Sequence, residues 1–451
     1  MSALEFSYTQ DALRQLASDV LRHARELGAS ACETDVSEAF GQSVTVRKNE
    51  VETIEYNRDK GIGVSIYLGQ RRGHASTSDF SAPALRATVE AALSIARFTA
   101  PDPCAGLPEV SMLAMPATQN MDLDLYHPWA LPVEQAIAIA RRCEQAAFAV
   151  SPLIRNSEGA SVSVQQSQFI SANSLGFMDG FPTSRHYISC SVIAGEGDDM
   201  QRDDWYTSGR DAAQLAVPQA IGDYAARRAL SRLGARRMKT RQVPVLFEAP
   251  LASGLISSFV HAVSGGSLYR KSSFLLDSLG QRIFPEHVRI SERPHLRGAM
   301  ASSPFDDDGV ATHDREVVAD GVLQGYFLST YSGRKLGMPS TGNAGGSHNL
   351  IVHPGPGKLD FEGLLHEMGT GLLVTELLGQ GINYVTGDYS RGAAGYWVER
   401  GKIAHPVQEI TIAGNLRDMF LGIAAIGNDV LVRGSKQVGS ILVERMTVAG
   451  N

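Results

Sequence analysis

Apolar residues recur with a helical period from Thr9 to Gly28. Leu13, Leu16, Val20, Leu21 and Leu27 fall on one stripe, and Gly28 supplies the stop. Between Cys32 and Ser78 the period drops to two, as in Val44-Thr45-Val46-Arg47, Ile54-Glu55-Tyr56 and Gly63 to Leu68 before a turn at Gly69-Gln70. That alternation predicts a meander of antiparallel strands with one wet face. The helical period returns from Ser81 to Ala100 through Leu85, Val89, Leu93, Ile95 and Ala96, and Pro101-Asp102-Pro103 breaks it.

After a loop with Asp122, Asp124 and His127, the same grammar starts again. Pro132 opens a helix that runs through Ala149, strands follow from Ile154 to Ser191, and a helix is expected from about Pro218 to Leu233. The tails of the two cycles, 76–98 and 207–233, each put a Ser/Thr-rich turn before an Ala- and Arg-containing helix, as a degenerate internal repeat would. The basic joint Ala235 to Thr240 then separates residues 1–235, an α+β lobe built of cycles at about 1–103 and 104–235, from a glycine-rich lobe at 236–451.

In the second lobe the pattern predicts a strand at Pro244–Phe247, an apolar helix at Leu251–Ala262, and strands at Glu316–Val318, Val322–Leu328, Leu372–Leu377, Glu409–Ile412 and Ile441–Val448. Asp320-Gly321 and Arg400-Gly401 read as hairpin turns, because both central residues of a type I′ turn need positive φ. The fold class is therefore α+β, with an N-terminal lobe of antiparallel strands flanked by helices and a strand-rich, barrel-like or sandwich C-terminal lobe.

Length and charge narrow the function. The 451 residues suffice for two or three domains, and the 43% hydrophobic and 20% charged content is ordinary for a globular chain. A net charge of −7, with the 41 basic residues dispersed, argues against nucleic acid as a partner. The residues Glu5 and Asp11 stand where a signal peptide needs an apolar core, and no window approaches 18 apolar residues, so a cytoplasmic protein without a membrane partner is expected. Cys32, Cys104, Cys143 and Cys190 lie too far apart for a zinc ribbon or redox motif and are expected as free thiols.

The motifs for common hydrolytic chemistry fail one by one. His366-Glu367 is followed by Thr370, not by the second histidine of a zinc-peptidase helix. Asp360 as cap, His366 near the carbonyl end and Gly369 as stop describe an ordinary short helix instead. His348 and His353 share a loop and are the remaining pair able to meet a metal, while Asp306-Asp307-Asp308-Gly309 lacks the alternating acids of a calcium loop and reads as a surface turn. Ser390, in Gly387-Asp388-Tyr389-Ser390-Arg391-Gly392, lacks the G-x-S-x-G spacing of a nucleophile elbow, and Asp388 and Arg391 read as an ion pair or turn residues.

Several runs carry a resemblance: Pro101 to Cys104, Tyr269 to Gly280, Ser340 to Gly346, Met368 to Gly371, Thr386 to Gly395 and Ile412 to Leu416. Across essentially the whole chain the sequence resembles the TldE (PmbA) branch of the TldD/TldE metallopeptidase family. The resemblance implies a two-lobed cytoplasmic protein that pairs with a TldD-type sister, in a family associated with gyrase-directed toxins, antitoxin degradation and removal of peptide-antibiotic leaders. In the TldD branch a H-E-x-x-x-H helix and a distal cysteine hold zinc. The corresponding helix here is Ser257 to Gly266, with Val260 and Gly265 at the histidine positions, His261 at the glutamate position, and the cysteine position near Val438.

These readings combine into one expectation and two alternatives. The expectation is a non-catalytic subunit of a zinc peptidase complex: no catalytic residue, no metal and no cofactor of its own, with zinc carried by a TldD-type partner in a heterodimer. It would hold unfolded peptide through exposed backbone at Asn343, Gly345, Gly346 and Ser347 and at Tyr389, Ser390 and Arg391. His261 is expected as a core or interface histidine. The alternatives are a peptidase active through other ligands, and a homodimeric peptide-binding adaptor without hydrolysis.

Overall fold

In the computed structural model, which describes residues 5–115 and 121–450, the first apolar stripe is helix α1 (Gln10–Glu26). Thr9 caps it, its hydroxyl accepting from the Ala12 N–H at 3.1 Å, and Leu13, Ala17, Val20 and Ala24 are buried. Strands β1 (Ala31–Arg47) and β2 (Glu50–Leu68) form one long hairpin. Its turn residues Lys48 and Asn49 hold φ of 51° and 64°, as a two-residue type I′ connection demands. β3 (Arg71–Thr77) extends the sheet and α2 (Ala82–Phe98) returns over it.

The second cycle contributes α3 (Val133–Val150), β4 (Ile154–Asn173), the short β5 (Met178–Asp179), β6 (Pro182–Ala194), β7 (Gln201–Gly209) and α4 (Pro218–Ser231). All seven strands share one antiparallel sheet in the order β3-β2-β1-β4-β6-β7, with β5 on β4. This is two meanders set back to back, joined where β1 pairs with β4 from Glu33/Asn173 to Val46/Ala160. The fully buried strand residues in the helix-covered cores all have even numbers, among them Val36, Val44, Val64, Val162, Ile170 and Cys190. Side chains alternate along a strand, so the four helices cover a single face. On the other face Phe169 and Phe181 pack against Phe305 from the chain beyond β8.

The chain then runs β8 (Arg241–Phe247), α5 (Ala249–Ala262), α6 (Gly265–Tyr269), β9 (Ile290–Glu292), β10 (Arg315–Ala319), β11 (Val322–Leu323), α7 (Thr330–Leu336), β12 (Leu350–Val352), α8 (Phe361–Met368), β13 (Gly371–Leu378), β14 (Asp388–Glu399), β15 (Lys402–Asn415), α9 (Leu416–Leu421), β16 (Ile423–Ile426), β17 (Leu431–Arg433), β18 (Lys436–Val438) and β19 (Ile441–Ala449). One sheet orders β11-β10-β9-β12-β18-β17; the other orders β15-β14-β13-β8-β19-β16. A further pairing of β15 with β19 closes β8, β13, β14, β15 and β19 into a five-stranded barrel. The expected hairpins are present: Asp320 and Gly321 have φ of 50° and 75°, Arg400 and Gly401 of 52° and 74°. Asp360 caps α8 through the Gly363 N–H, and Gly369 follows it at φ 66°.

Four local expectations are corrected. Residues 201–209, expected partly as a turn, form the edge strand β7; its polar Asp203-Asp204-Trp205-Tyr206 run fits an edge whose carbonyls meet side chains, Arg232 donating to Arg202 O at 3.0 Å and Arg433 to Tyr206 O at 3.1 Å. The strand expected over Val322–Leu328 stops at Leu323. Asp306 does not sit in a surface turn but is 3% exposed, accepting backbone N–H groups of Asp308, Val310 and Ala344. Asp388 and Arg391 form no ion pair among the described residues: three positions apart on a strand, they point to opposite faces, and Asp388 instead accepts from Thr386 and Asn415.

An ion network ties α4 and β7 to the chain around β8 and β13. Arg228 on α4 donates to Asp203 at 3.0 Å and across the junction to Glu248 at 2.8 Å, while Arg232 reaches both Asp203 and Glu376.

Candidate functional site

Helix α5 carries Val260 and His261 and ends at Ala262. The chain then turns at Ser264, which is bridged to Phe327: Phe327 N–H donates to Val263 O at 3.1 Å and Gly265 N–H to Phe327 O at 2.8 Å. The single helix expected over Ser257 to Gly266 is thus two segments, because the backbone leaves the helix to pair with Phe327. Val260 and Gly265 cannot share a helical face. A β-carbon on Gly265 would stand 2.1 Å from the Ser332 hydroxyl oxygen, well inside carbon–oxygen contact distance.

His261 is not in the core. It is exposed, its ring set against Tyr384 with centroids 4.0 Å apart, and desolvation followed by the Arg270 charge holds its pKa below the ordinary value. Val438 is fully buried on β18. Valine, glycine and valine offer no lone pair where the TldD-type set has two imidazoles and a thiolate. Among the described residues, no three His, Cys, Asp or Glu side chains are placed to hold a metal ion. The residues present therefore do not fit a zinc at this position. His348 and His353 do not converge either: His348 faces the carbonyls of Ala301 and Gly342, and His353 Nε2 meets Ser291 Oγ at 2.7 Å.

Beside Val260 and Gly265 lies a cleft of about 300 Å³, whose opposite wall is the loop Asn343, Gly345, Gly346 and Ser347. Two stretches read separately in the sequence thus face each other. The loop is held from beneath. Asn343 donates to Glu292 at 2.8 Å and to Gly346 O at 3.0 Å, and accepts from Arg315 at 3.0 Å and Thr341 at 2.7 Å. Glu292, 1% exposed, also accepts from Arg315 Nε at 2.6 Å and the His348 N–H at 2.8 Å. Gly345 and Gly346 are exposed at φ 91° and 124°, and a β-carbon on Gly345 would meet Asp307 at 2.4 Å. The result is a rigid rim of bare backbone, suited to main-chain hydrogen bonding with an extended chain.

The second expected peptide contact lies elsewhere. Tyr389 is buried in the barrel core, with burial pushing its phenol up to about 12. Ser390 is exposed, its N–H donating to Gly381 O at 2.7 Å, and Arg391 keeps its Nε buried without a partner in the described structure. None of the three lines the cleft. Sequence reasoning missed Tyr269 and Tyr331, which meet edge to face at 5.8 Å on the cleft wall. Tyr269 begins one of the family-like runs, which was its signal; Tyr331 had none.

Comparison with known proteins agrees with this architecture. Residues 32–96 match the PmbA/TldA metallopeptidase domain 1, residues 126–233 the central domain, and residues 240–450 the C-terminal domain. The chain is 48% identical to the metalloprotease PmbA homolog of Haemophilus influenzae, over 97% of this chain and 96% of that protein. It is 47% identical to metalloprotease PmbA of Escherichia coli, over 98% and 97% respectively. A crystal structure from Bacteroides thetaiotaomicron, described as a candidate modulator of DNA gyrase, superposes with a TM-score of 0.92 at 26% identity, covering 98% of this chain and all of that one. The described residues contain no helix long and apolar enough to cross a membrane. With family matches in all three segments and near-full-length relatives at almost half identity, the chain belongs to the PmbA/TldA metallopeptidase family.

Proposed function

We propose that this chain is the zinc-ligand-lacking, TldE-type subunit of a cytoplasmic two-component peptidase. It holds an unfolded peptide in the cleft between Val260 and the 343–347 loop, and a TldD-type metallopeptidase subunit, bound as a heterodimer, supplies the metal that cleaves it. Residues 1–235 and 236–451 act as its two structural units. One observation carries the reading: the space a ligand at Gly265 would need is occupied by Ser332, so the position is filled and not merely mutated. The exposed backbone of Gly345 and Gly346 supports the peptide role, since main-chain pairing is indifferent to substrate sequence.

The test is zinc analysis with cleavage of an unfolded polypeptide, run on this chain alone, on a TldD-type paralogue alone and on the mixture. The expected result is no stoichiometric zinc on this chain, no cleavage by it alone, and cleavage by the mixture. The metalloprotease names of its relatives favour a second reading, in which this chain hydrolyses by itself. Stoichiometric zinc with chelator-sensitive cleavage in the absence of the paralogue would establish that reading and overturn the first.

A further inference from the structure

A second hollow, of about 340 Å³, opens between the edge strand β7, the first turns of α5 and the end of β17. Its walls are crowded with charge, and most of that charge is neutralised in place. Asp203 is bonded to Arg228 at 3.0 Å and to Arg232 at 3.5 Å, Asp204 to Arg202 at 3.1 Å, and Glu376 to Arg232.

Arg433 is the exception. It lines the same crevice, and among the described residues no carboxylate stands within ion-pair distance of it. Its guanidinium is pinned: Nη1 donates to Tyr206 O at 3.1 Å, and the group lies over the rings of Tyr206 and Trp205, 3.7 and 4.6 Å from their centroids. Nε is buried and out of a ligand's reach, whereas Nη2 is neither buried nor hydrogen-bonded among the described residues. The crevice therefore presents one uncompensated positive charge, already fixed in orientation, with Leu251 and Leu377 as apolar walls. A planar guanidinium suits carboxylate oxygens, and one held in advance has little freedom left to lose on binding. The single net charge, with three carboxylates close by, selects a monoanion over a phosphate dianion.

Helix α5 joins this crevice to the cleft. Ser253 lines the one and Val260 the other, and with Ser257 they stand at i, i+4 and i+7 on one helical face. Gly254 and Ser257 are exposed, and a β-carbon on Gly254 would meet no atom within 4 Å, so the face is open there. Seven helical residues rise about 10 Å, which an extended chain covers in about three residues.

We infer that the crevice takes a carboxylate, terminal or side-chain, of a peptide running along α5 from the cleft, so that the substrate class is an extended peptide with an acidic group about three residues beyond the part the cleft holds. Arg433 supplies the binding charge. The inference rests on the peptide-holding reading above.

The test measures fluorescence anisotropy of the full chain with three decapeptides of otherwise neutral sequence, each blocked at the N-terminus by an uncharged dye: a C-terminal amide, the free acid, and the amide with one glutamine replaced by glutamate. The free acid or the glutamate peptide is expected to bind about tenfold more tightly than the neutral amide, as one charge-assisted contact implies, and which of them does so identifies the source of the carboxylate. The preference should vanish in Arg433→Gln. It should vanish also in Ser253→Asp, which sets a competing carboxylate on the crevice wall and serves should the first variant fail to fold. Equal binding of the three peptides, or a preference that survives these variants, overturns the carboxylate site and leaves the peptide-holding reading standing. If no peptide binds, the peptide-holding reading falls, and the crevice is judged by hexanoate against hexanol in saturation-transfer NMR. Transfer to hexanoate alone, lost in Arg433→Gln, supports the carboxylate site; transfer to both, to neither, or unchanged in the variant overturns it.

Discussion

Gly265 and Ser332 approach so closely that a β-carbon on the glycine would lie 2.1 Å from the serine Oγ and 2.4 Å from its Cβ. A histidine placed there is therefore not expected to complete a zinc site. Gly265→His is expected to destabilise the protein by about 1–3 kcal/mol, the usual cost of overpacking. Urea denaturation measures this, and Ser332→Gly in the same chain should recover part of the loss. Val260→His with Gly265→His should still bind no stoichiometric zinc by metal analysis.

Glu316 gives a pH signature. Arg289 donates to it at 2.8 Å, Arg293 at 2.6 Å and Ser291 at 2.8 Å, and these bonds, Arg289 foremost, hold its carboxyl at about 2, below the ordinary 4.5. A carboxylate depressed on folding adds stability that is full above its unfolded value and is lost as pH falls through the folded one. Because the side chain is 28% exposed, screening trims the effect to about 1–2 kcal/mol. Glu316→Gln should be less stable than wild type by that amount at pH 7 in urea melts. The difference should close as the pH drops from 4.5 toward 2.

Arg228 joins α4 to the chain after β8, 13% exposed and bonded to Asp203 on one side and Glu248 on the other. Removing one member of a buried ion network strands the others, at about 3–5 kcal/mol. Arg228→Met should lower the unfolding free energy by about 3 kcal/mol and open the 234–240 joint to limited proteolysis. The exposed pair of Arg227 with Asp223 on the same helix is the control. Arg227→Met should change stability by less than about 1 kcal/mol.

Local features of the fold were legible in the sequence. The stripe of α1, the Asp320-Gly321 and Arg400-Gly401 turns and the capped helix after Asp360 each follow from a few adjacent residues. Features set by distant partners were not. Nothing in Ala249 to Tyr269 says that the helix must stop to bridge Phe327, and nothing near Thr411 says that it will pair with Ala449 and close a barrel. The edge strand β7 hid behind its own polarity. The site divides the same way: the 343–347 loop was legible from its glycines and lines the cleft, whereas Tyr389 falls on the inward face of β14, which the neighbouring glycines do not reveal.

The seam between β1 and β4 also governs how this chain comes off the ribosome. Glu33 to Val46 find their second neighbours only when residues 160–173 have emerged, more than a hundred positions later. Until then the nascent hairpin of β1 and β2 shows an open, aggregation-prone border, and such long-range pairing forms slowly. Translational pausing or chaperone capture would therefore matter most before Asn173 is made, and truncations ending between residues 68 and 154 should be the insoluble ones.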